Sequence, residues 1–381
     1  MSLDALPYEQ TDWNKEVRDN DQNSSDDTRL TTLENKAIFN QVNVKDYGAV
    51  GDGVTDDTVP FMNAWNDAVQ NKMRLCIDGN YLITENLVVE DQTIPEIYGI
   101  KGYSSNLQFN ITSGYGLEIK TFHTRPFVIK DLKITNKYSA NTASGIKIDR
   151  GAGSWGAGLL CKNVHITNFT GIAVELVNAH KCKFDSCSII GGTPGSVKVA
   201  TLLKIATPNT FSNVNIFDAV TFQYGKIGIQ NLGGIVIDFN RCIFEDLNLF
   251  MHTPALSGLS LRNNFKACWF EDITKGILNA DIDESTLEPD SPISNKSDLK
   301  FIVFENNYSG QNTPSPVLNS TLEPNYYNFF TLSDGIITRE SDGSPSGVLT
   351  PYKLGEEVLD TTNNKWYKSI GLSITDWVAL N

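Results

Sequence analysis

The chain has 381 residues, of which 40% are hydrophobic and 20% are charged, so it is long enough for one large folded domain with small additions. Its formal net charge of −14 disfavours nucleic acid and anionic membrane surfaces as partners, because like charges repel. No apolar run reaches the length of a membrane span and no signal-peptide pattern opens the sequence, so we expect no membrane insertion.

Residues 1–40 are polar and acidic, and this composition predicts an N-terminal arm without a packed core of its own. Leu30, Leu33 and Ala37 have the spacing of a short coiled coil between chains. An ordinary packed helix or a flexible arm is the alternative, because so short a helix is not stable alone.

The stretch DYGAVGDGVTDDT, residues 46–58, combines three glycines with four aspartates. Such a loop suits either a metal or phosphate site, or a scaffold in which glycines turn the chain and carboxylates accept backbone N–H groups. The spacings of nucleotide-binding loops are missing. The pattern VPFMNAWNDAVQN then predicts an amphipathic helix that starts near Asp57 or Thr58.

From about residue 76 onward, short apolar runs recur between Asn, Gly, Ser, Thr and Asp, which is typical of a parallel solenoid. A phenylalanine followed by an acid returns at intervals that fit one solenoid coil. These pairs are Phe184-Asp185, Phe217-Asp218, Phe244-Glu245, Phe270-Glu271 and Phe304-Glu305. Because side chains alternate along a strand, we predict one inward column of Phe rings and one outward ladder of acids.

Six cysteines occur without a CxxC spacing and with only four histidines, so we predict no metal and no cofactor. Most of the cysteines lie in apolar strand patterns, which predicts buried, reduced thiols. Residues 336–381 have their own pattern of strands and turns, which predicts a small β-meander domain with Trp366 and Trp377 in its core.

The signature VNVKDYGAVGDGVTDDT followed by a helix resembles the N-terminal signature of the pectate-lyase-like superfamily of parallel β-helices. The same signature opens many bacteriophage tailspike, pre-neck appendage and depolymerase proteins. The resemblance implies an all-β fold: a right-handed parallel β-helix over residues 41–335, closed at its N-terminal end by the helix. Because a terminal coil has an uncovered apolar end, such a cap is also physically required.

The resemblance further implies a phage or prophage tail protein located in the virion tail. Its partners would be a bacterial surface polysaccharide (capsule, exopolysaccharide or teichoic acid), two further copies in a homotrimer, and a tail or baseplate held through the arm. Related tailspikes use two carboxylates on the outer face of the β-helix or between subunits to cleave glycans.

We therefore take the outward acids as candidate catalytic residues. Adjacent coils are about 4.8 Å apart, so carboxylates one or two coils apart suit either the separation of about 5 Å in a retaining glycosidase or that of about 6.5–9.5 Å in an inverting one. The candidate catalytic residues are Glu245, Glu271, Asp218 and Asp246. The candidate substrate-binding residues are Trp155, Asp185, Asp272 and Glu305. A merely solvated acidic face is the alternative for the acids, and a packed loop is the alternative for Trp155.

The motifs GHG and RxK of polygalacturonases are missing, and so is their DD motif within the coil region. We therefore expect a glycoside hydrolase of another kind. A polysaccharide lyase, with His165 or His180 as base, is a second possibility. A glycan-binding adhesin or structural tail appendage without catalysis is the alternative from another functional class.

Overall fold

The computed structural model describes residues 40–90, 96–120, 127–137, 142–149, 158–195, 197–205, 212–253, 262–279, 282–283, 288–289, 302–305, 308–309, 329–330, 338–341, 343–351, 357–360, 362–371 and 373–380. Within these ranges the chain forms β-strands and one α-helix, α1 (Thr58–Gln70). None of the helical residues described belongs to a helix long and apolar enough to cross a bilayer. The arm before residue 40, with its predicted coiled coil, lies outside the described residues.

The strands are short and follow one another along the chain. The first twelve are β1 (Gln41–Asn43), β2 (Asp52–Asp56), β3 (Arg74–Ile77), β4 (Asn80–Ile83), β5 (Leu87–Glu90), β6 (Glu96–Gly99), β7 (Asn106–Phe109), β8 (Tyr115–Lys120), β9 (Phe127–Asn136), β10 (Ser144–Asp149), β11 (Leu159–Thr167) and β12 (Ile172–Val177). The next thirteen are β13 (Lys183–Asp185), β14 (Ser188–Ile190), β15 (Thr201–Ile205), β16 (Asn215–Asp218), β17 (Thr221–Asn231), β18 (Val236–Asn240), β19 (Ile243–Thr253), β20 (Arg262–Lys266), β21 (Trp269–Asn279), β22 (Ile282–Asp283), β23 (Glu288–Pro289), β24 (Ile302–Glu305) and β25 (Tyr308–Ser309).

Strands that lie one coil apart pair in parallel, and their pairing forms three long sheets. Sheet A contains β1, β3, β6, the first parts of β9 and β11, then β13, β16, β18, β20 and β24. Sheet B contains β2, β4, β7, the second parts of β9 and β11, β14, the first parts of β17, β19 and β21, and β25. Sheet C contains β5, β8, β10, β12, β15 and the second parts of β17, β19 and β21. This pairing confirms the predicted parallel β-helix.

Two columns of stacked phenylalanine rings fill the core between sheets A and B. In sheet A, neighbouring centroids of Phe184, Phe217, Phe239 and Phe265 are 4.9, 5.0 and 4.7 Å apart. In sheet B, those of Phe222, Phe244 and Phe270 are 4.9 and 5.3 Å apart. Offset and near-parallel aromatic stacks add to the stability that area burial alone provides.

The predicted single column of phenylalanines, and with it the single ladder of acids, is wrong. Phe217 is the register partner of Phe239, whereas Phe244 is the partner of Phe222. Successive coils carry a phenylalanine in both sheets, but an acid follows the sheet A ring in some coils and the sheet B ring in others. The Phe-acid pattern therefore moves from sheet A to sheet B at residue 244 and returns to sheet A at residue 304.

Helix α1 packs on the first coil and contributes its apolar face to the continuous core. Phe61, Ala64, Trp65 and Ala68 are buried, and the Trp65 ring lies 6.1 Å from the ring of Phe127. Strands β1 and β2 each pair with only one strand among those described. The helix thus covers apolar surface at an end of the solenoid that no further coil covers.

The aspartates of the opening loop serve its fold. Asp57 is buried, and its two carboxylate oxygens accept the backbone N–H groups of Val50 at 2.7 Å and Gly51 at 3.0 Å. Asp56 accepts the backbone N–H of Thr58 at the start of α1 at 3.0 Å. Asp57 occupies the N-cap position without making a cap hydrogen bond, and the carboxylate of Asp56 accepts an N–H group of the first turn in its place.

The glycines of the same loop have the predicted positive φ. Gly48, Gly51 and Gly53 have φ values of 90°, 72° and 74°. At Gly53 a Cβ atom would also come within 2.0 Å of Nδ2 of Asn80, so a side chain there would be strained by the backbone conformation and would displace the Asn80 amide.

All six cysteines are free and buried, as their apolar surroundings predict. The C-terminal residues form a separate five-stranded sheet of β26 (Phe329–Phe330), β27 (Thr338–Ser341), β28 (Glu357–Asp360), β29 (Lys365–Ser369) and β30 (Trp377–Leu380). Strands β28, β29 and β30 form an antiparallel meander, whereas β27 pairs with β28 in parallel.

Trp377 is buried in the small core with Val358 and Leu349, but Trp366 is exposed, so its predicted core position is wrong. The two tryptophans lie on opposite faces of the meander, and only one face is packed. Because β26 already belongs to this sheet, the smaller sheet includes residues before position 335. The division of the chain at that position stays a prediction.

Candidate functional site

Glu245 and Glu271 lie side by side on the outer face of sheet B. They occupy the same place in the repeated sequences CIFEDL and CWFEDI and are direct register partners on β19 and β21. The preceding phenylalanines stack in the core, so alternation along the strands turns both glutamates outward. The sequence therefore brings this predicted pair together, with a strand separation of about 4.8 Å.

Each glutamate of the pair is held by one hydrogen bond from a neighbouring side chain. Oε2 of Glu271 accepts the indole Nε1–H of Trp269 at 3.0 Å. Oε2 of Glu245 accepts Nε2–H of Gln223, which precedes it by one coil in the same row. Each carboxylate thus retains a second oxygen without a described side-chain donor, and this oxygen is available to a ligand.

Asp246 and Asp272 follow the pair at the bend where the chain passes from sheet B to sheet C. Their φ values are 55° and 50°, a left-handed conformation that aspartate tolerates better than most residues. Asp246 forms an ion pair with Lys198, and Asp272 is exposed. Four carboxylates therefore meet at this edge of sheet B, with one described lysine paired to them.

An apolar strip lies beside the two glutamates. Trp269 is 40% exposed and Ile243, its register partner on the preceding coil, is 37% exposed. Tyr224 lies one coil earlier, at the bend next to the acids, and the burial of its ring together with the charges of Glu245 and Asp246 raises its pKa. Neither Trp269 nor Tyr224 was predicted from the sequence, although Trp269 directly precedes the Phe-acid pair Phe270-Glu271.

The row of Ile243 and Trp269 continues across the outer face of sheet B toward the N-terminus. It passes through Thr221 and Ser188 and reaches His165 and Lys133. Hydroxyl groups thus separate the apolar end of the row, which lies beside the two glutamates, from its basic end. We call this row, together with the adjoining row that holds the two glutamates, the sheet B strip.

At the basic end, Tyr103 covers His165. Their ring centroids are 5.4 Å apart, and the Tyr103 hydroxyl donates to Oδ1 of Asn163 at 3.2 Å. Burial of the imidazole and the nearby charge of Lys133 lower the pKa of His165, which favours the neutral ring at pH 7. His180, by contrast, lies at an isolated bridge to Asn213, away from this strip.

Asp185, Asp218 and Glu305 lie on strands of sheet A and not in the row of Glu245 and Glu271. Asp218 is bound by Arg241, whose Nη2 is 2.6 Å from its Oδ1. Asp185 lies 3.5 Å from Nζ of Lys183. For Glu305 the backbone register alone is described, and Trp155 lies outside the described residues.

Sheet C carries a ladder of alternating charges that was not predicted from the sequence. Glu118, Lys147, Glu175 and Lys204 are consecutive register partners, with ion pairs of 3.0 Å between Glu118 and Lys147 and 3.1 Å between Glu175 and Lys204. Tyr115 also donates to the buried Glu175, and its pKa is raised by burial and by that carboxylate.

The sheet C ladder has a signal in the sequence, since an acid and a lysine alternate every 28 or 29 residues. Its charges compensate one another, so we interpret the ladder as part of the scaffold. In the part of the chain that the structure describes, no group of three or more His, Cys, Asp or Glu side chains is arranged to hold a metal ion.

No family model matches the sequence, and no curated protein is similar to it. Among solved structures, the chain is similar to the Dettilon tailspike protein gp208, with 13% identity, a TM-score of 0.49, and coverage of 64% of this chain and 48% of that one. It is also similar to ORF18 of Geobacillus virus E2, with 13% identity, a TM-score of 0.44, and coverage of 93% and 88%. A third similar structure is the pre-mature gene product 12 of bacteriophage phi29, with 10% identity, a TM-score of 0.44, and coverage of 71% and 42%. The chain spans less than half the length of the first and third of these proteins.

Proposed function

We propose that this parallel β-helix protein binds a bacterial surface polysaccharide along the sheet B strip and hydrolyses it with Glu245 and Glu271. The observation that carries the proposal is that two outward glutamates are register partners beside an exposed tryptophan. A sugar ring presents an apolar face that packs on an indole and hydroxyl groups that bind carboxylates. The sheet B strip offers both within one coil.

The separation of the strands favours a retaining mechanism. In retaining glycosidases the two carboxyl groups are about 5–5.5 Å apart, close to the strand spacing of about 4.8 Å. Because Glu271 lies beside the exposed Trp269 indole, where the sugar ring would stack, we assign Glu271 as the nucleophile that attacks the anomeric carbon. Glu245 then protonates the glycosidic oxygen as that C–O bond breaks. It later deprotonates the water that releases the sugar from Glu271.

The rest of the sheet B strip supports binding of a longer chain. Thr221 and Ser188 provide hydroxyl groups on the coils next to the acids, and Lys133 provides a cation at the far end. No ion pair of Lys133 with another described residue is present, so its ammonium group is available to an anionic substituent of the glycan. We therefore expect a polymer that lies across successive coils.

For the biological setting, we propose a phage or prophage tail in which the chain forms a homotrimer and attaches through residues 1–40. The sequence signature of the opening loop supports this setting. A tail protein would bring the sheet B strip to the bacterial surface, where a polysaccharide is the first barrier encountered.

The test of the proposed activity is hydrolysis of capsule, exopolysaccharide and teichoic acid extracted from candidate hosts. We expect new reducing ends without the ultraviolet absorbance of unsaturated sugars, and Glu245→Gln and Glu271→Gln should each lower the rate at least a hundredfold. In Glu271→Ala, added azide should restore turnover by attacking the anomeric carbon in place of the carboxylate, with a glycosyl azide as product. Asp185→Asn, an outward acid of sheet A, is the control and should keep full activity.

Three outcomes would overturn the proposal in different ways. Rising ultraviolet absorbance would indicate a lyase. Retention of a glycan on a column without any cleavage would indicate an adhesin. Full activity of both glutamine variants would place the chemistry elsewhere in the molecule.

A further inference from the structure

The outer face of the C-terminal meander carries an aromatic side chain that its own fold does not use. Leu359, Trp366 and Leu380 are register partners across β28, β29 and β30. Trp366 is 40% exposed, whereas Trp377 on the opposite face is buried and donates its Nε1–H to the carbonyl of Leu349 at 2.6 Å. The small core therefore contains Trp377, whereas Trp366 lies on the opposite face with part of its ring exposed.

A shallow cleft of about 520 Å³ opens over Trp366. Its lining consists of Glu357, Asn364, Lys365, Trp366, Ala379 and Leu380. The lining thus joins an aromatic ring and two apolar neighbours with a carboxylate, an amide and an ammonium group. Volumes of about 300–1,000 Å³ are typical of small-molecule sites.

The polar rim of this cleft is held in place by local structure. Asn364 has a φ of 52° in the turn between β28 and β29, which presents it beside Trp366. Glu357 is 3.4 Å from Nζ of Lys368, its register partner on the next strand. The hairpin of β28 and β29 therefore carries both these polar groups and the indole of Trp366.

We propose that this cleft, which we call the Trp366 platform, is a second, non-catalytic binding site for a polysaccharide chain. A sugar ring would stack on the indole while its hydroxyl groups bind the Asn364 amide, the Glu357 carboxylate and the Lys365 ammonium group. The inference rests on the proposed function for the class of ligand, but binding at this platform requires no catalysis.

A glycan explains the platform better than a second copy of the chain does. Trp366, Leu380 and Val378 together leave on the order of 200 Å² of apolar surface exposed, whereas a stable protein interface buries about 800 Å² on each partner. A single sugar ring, with an apolar face and a polar edge, matches a small apolar patch that has a polar rim.

A second site on the same chain would increase the residence of the protein on a long polymer. Once one site is occupied, the other binds intramolecularly, so loss of either site weakens polymer binding more than it weakens the binding of short fragments. The affinity for short oligosaccharides that occupy only the sheet B strip should therefore not depend on the Trp366 platform.

The test uses the full chain and four proteins: the unaltered chain, Trp366→Ala, Glu271→Gln and the control Ile370→Ala, an exposed apolar side chain of the same domain outside the cleft. Retention is measured by affinity electrophoresis in gels that contain dextran, hyaluronan or wall polysaccharide extracted from a Gram-positive bacterium. We expect Trp366→Ala to weaken retention by roughly tenfold on a polymer that retains the unaltered chain. Ile370→Ala should be retained normally, and Glu271→Gln prevents cleavage of the polymer during the run.

The outcomes separate this inference from the proposed function. If the unaltered chain cleaves nothing but Trp366→Ala still loses retention, the proposed function fails and the Trp366 platform stands. Equal retention of Trp366→Ala and the unaltered chain overturns the platform, as does the absence of retention on every polymer. A change of molar mass by light scattering in Trp366→Ala, with retention intact, would instead identify an interface between copies.

Discussion

The indole of Trp269 donates a hydrogen bond from Nε1 to Oε2 of Glu271 at 3.0 Å, from a position two residues earlier on the same outward face of β21. One side chain thus combines an exposed face for a sugar with an edge that orients the proposed nucleophile. Trp269→Phe keeps the aromatic face and removes the donor, so we expect kcat to fall about tenfold, the equivalent of a hydrogen bond of about 1.4 kcal/mol, with KM nearly unchanged.

Trp269→Ala removes both contributions and should raise KM as well as lower kcat, which steady-state kinetics on a defined oligosaccharide would measure. Ile243→Ala is the matched control in the same apolar row and should raise KM slightly with kcat intact. If Trp269→Phe behaves like the unaltered chain, the hydrogen bond has no part in catalysis.

Asp218 provides a test of which acids belong to the site. It faces outward from sheet A and is bound by Arg241, whereas Glu245 faces outward from sheet B. We therefore expect Asp218→Asn to retain the hydrolytic rate of the unaltered chain. A loss comparable to that of Glu245→Gln would mean that the substrate reaches sheet A, and the proposed pair would then be incomplete.

The sequence predicted the architecture because the determinants of a solenoid are local and repeated. Glycines with positive φ, the helix after Asp57 and short apolar runs each identify an element without knowledge of distant contacts. The lateral register could not be predicted in the same way. A coil with one phenylalanine in sheet A and another in sheet B offers two equivalent alignments, and loop lengths that vary between coils remove the constant period that would decide between them.

The register of the candidate pair could be predicted only because two coils carry the same motif without an insertion between them. The motifs CIFEDL and CWFEDI have the same length and order, so their alignment needs no knowledge of the structure. Glu245 and Glu271 are register partners, as this alignment predicts. Side chains that reach the pair from another row have no such signal. Gln223 approaches Glu245 because of register, and Lys198 reaches Asp246 from the segment before β15.

The double phenylalanine column predicts a strong dependence of stability on its central ring. Phe239 is fully buried, stacks between Phe217 and Phe265, and touches the second column edge-on at Phe244. Phe239→Ala should lower the free energy of unfolding by about 3–5 kcal/mol, because the cavity cannot collapse between stacked neighbours. Guanidinium unfolding followed by circular dichroism measures the change.

The control for Phe239→Ala is Val88→Ala, which truncates an exposed side chain on β5 and should change stability by less than about 1 kcal/mol. A similar loss in both variants would show that the sheets, and not the ring columns, limit the stability of this region.

Asp57 should matter for folding and not for ligand binding. Its two oxygens accept two backbone N–H groups in a buried turn, and Asp57→Ala leaves both donors without their acceptor. We expect a loss of about 2–4 kcal/mol in the free energy of unfolding, with glycan affinity unchanged in the folded fraction. Asp52→Ala, which removes an exposed acceptor from the same loop, should have a smaller effect. If Asp57→Ala instead abolishes binding in a protein of normal stability, the loop is a ligand site after all.

His165 predicts a decrease in stability on mild acidification. Burial and the charge of Lys133 lower its pKa in the folded protein below the ordinary 6.5, so between the two values the unfolded chain binds more protons. The contribution of His165 to stability is therefore complete above pH 6.5 and is lost as the pH falls through the folded pKa.

Imidazole resonances in a proton NMR titration measure that pKa directly, and Lys133→Met should raise the pKa by removing the repelling charge. His165→Gln should flatten the dependence of the guanidinium midpoint on pH just below 6.5. An imidazole that titrates at or above 6.5 in the unaltered chain would contradict the neutral ring and its role at the basic end of the sheet B strip.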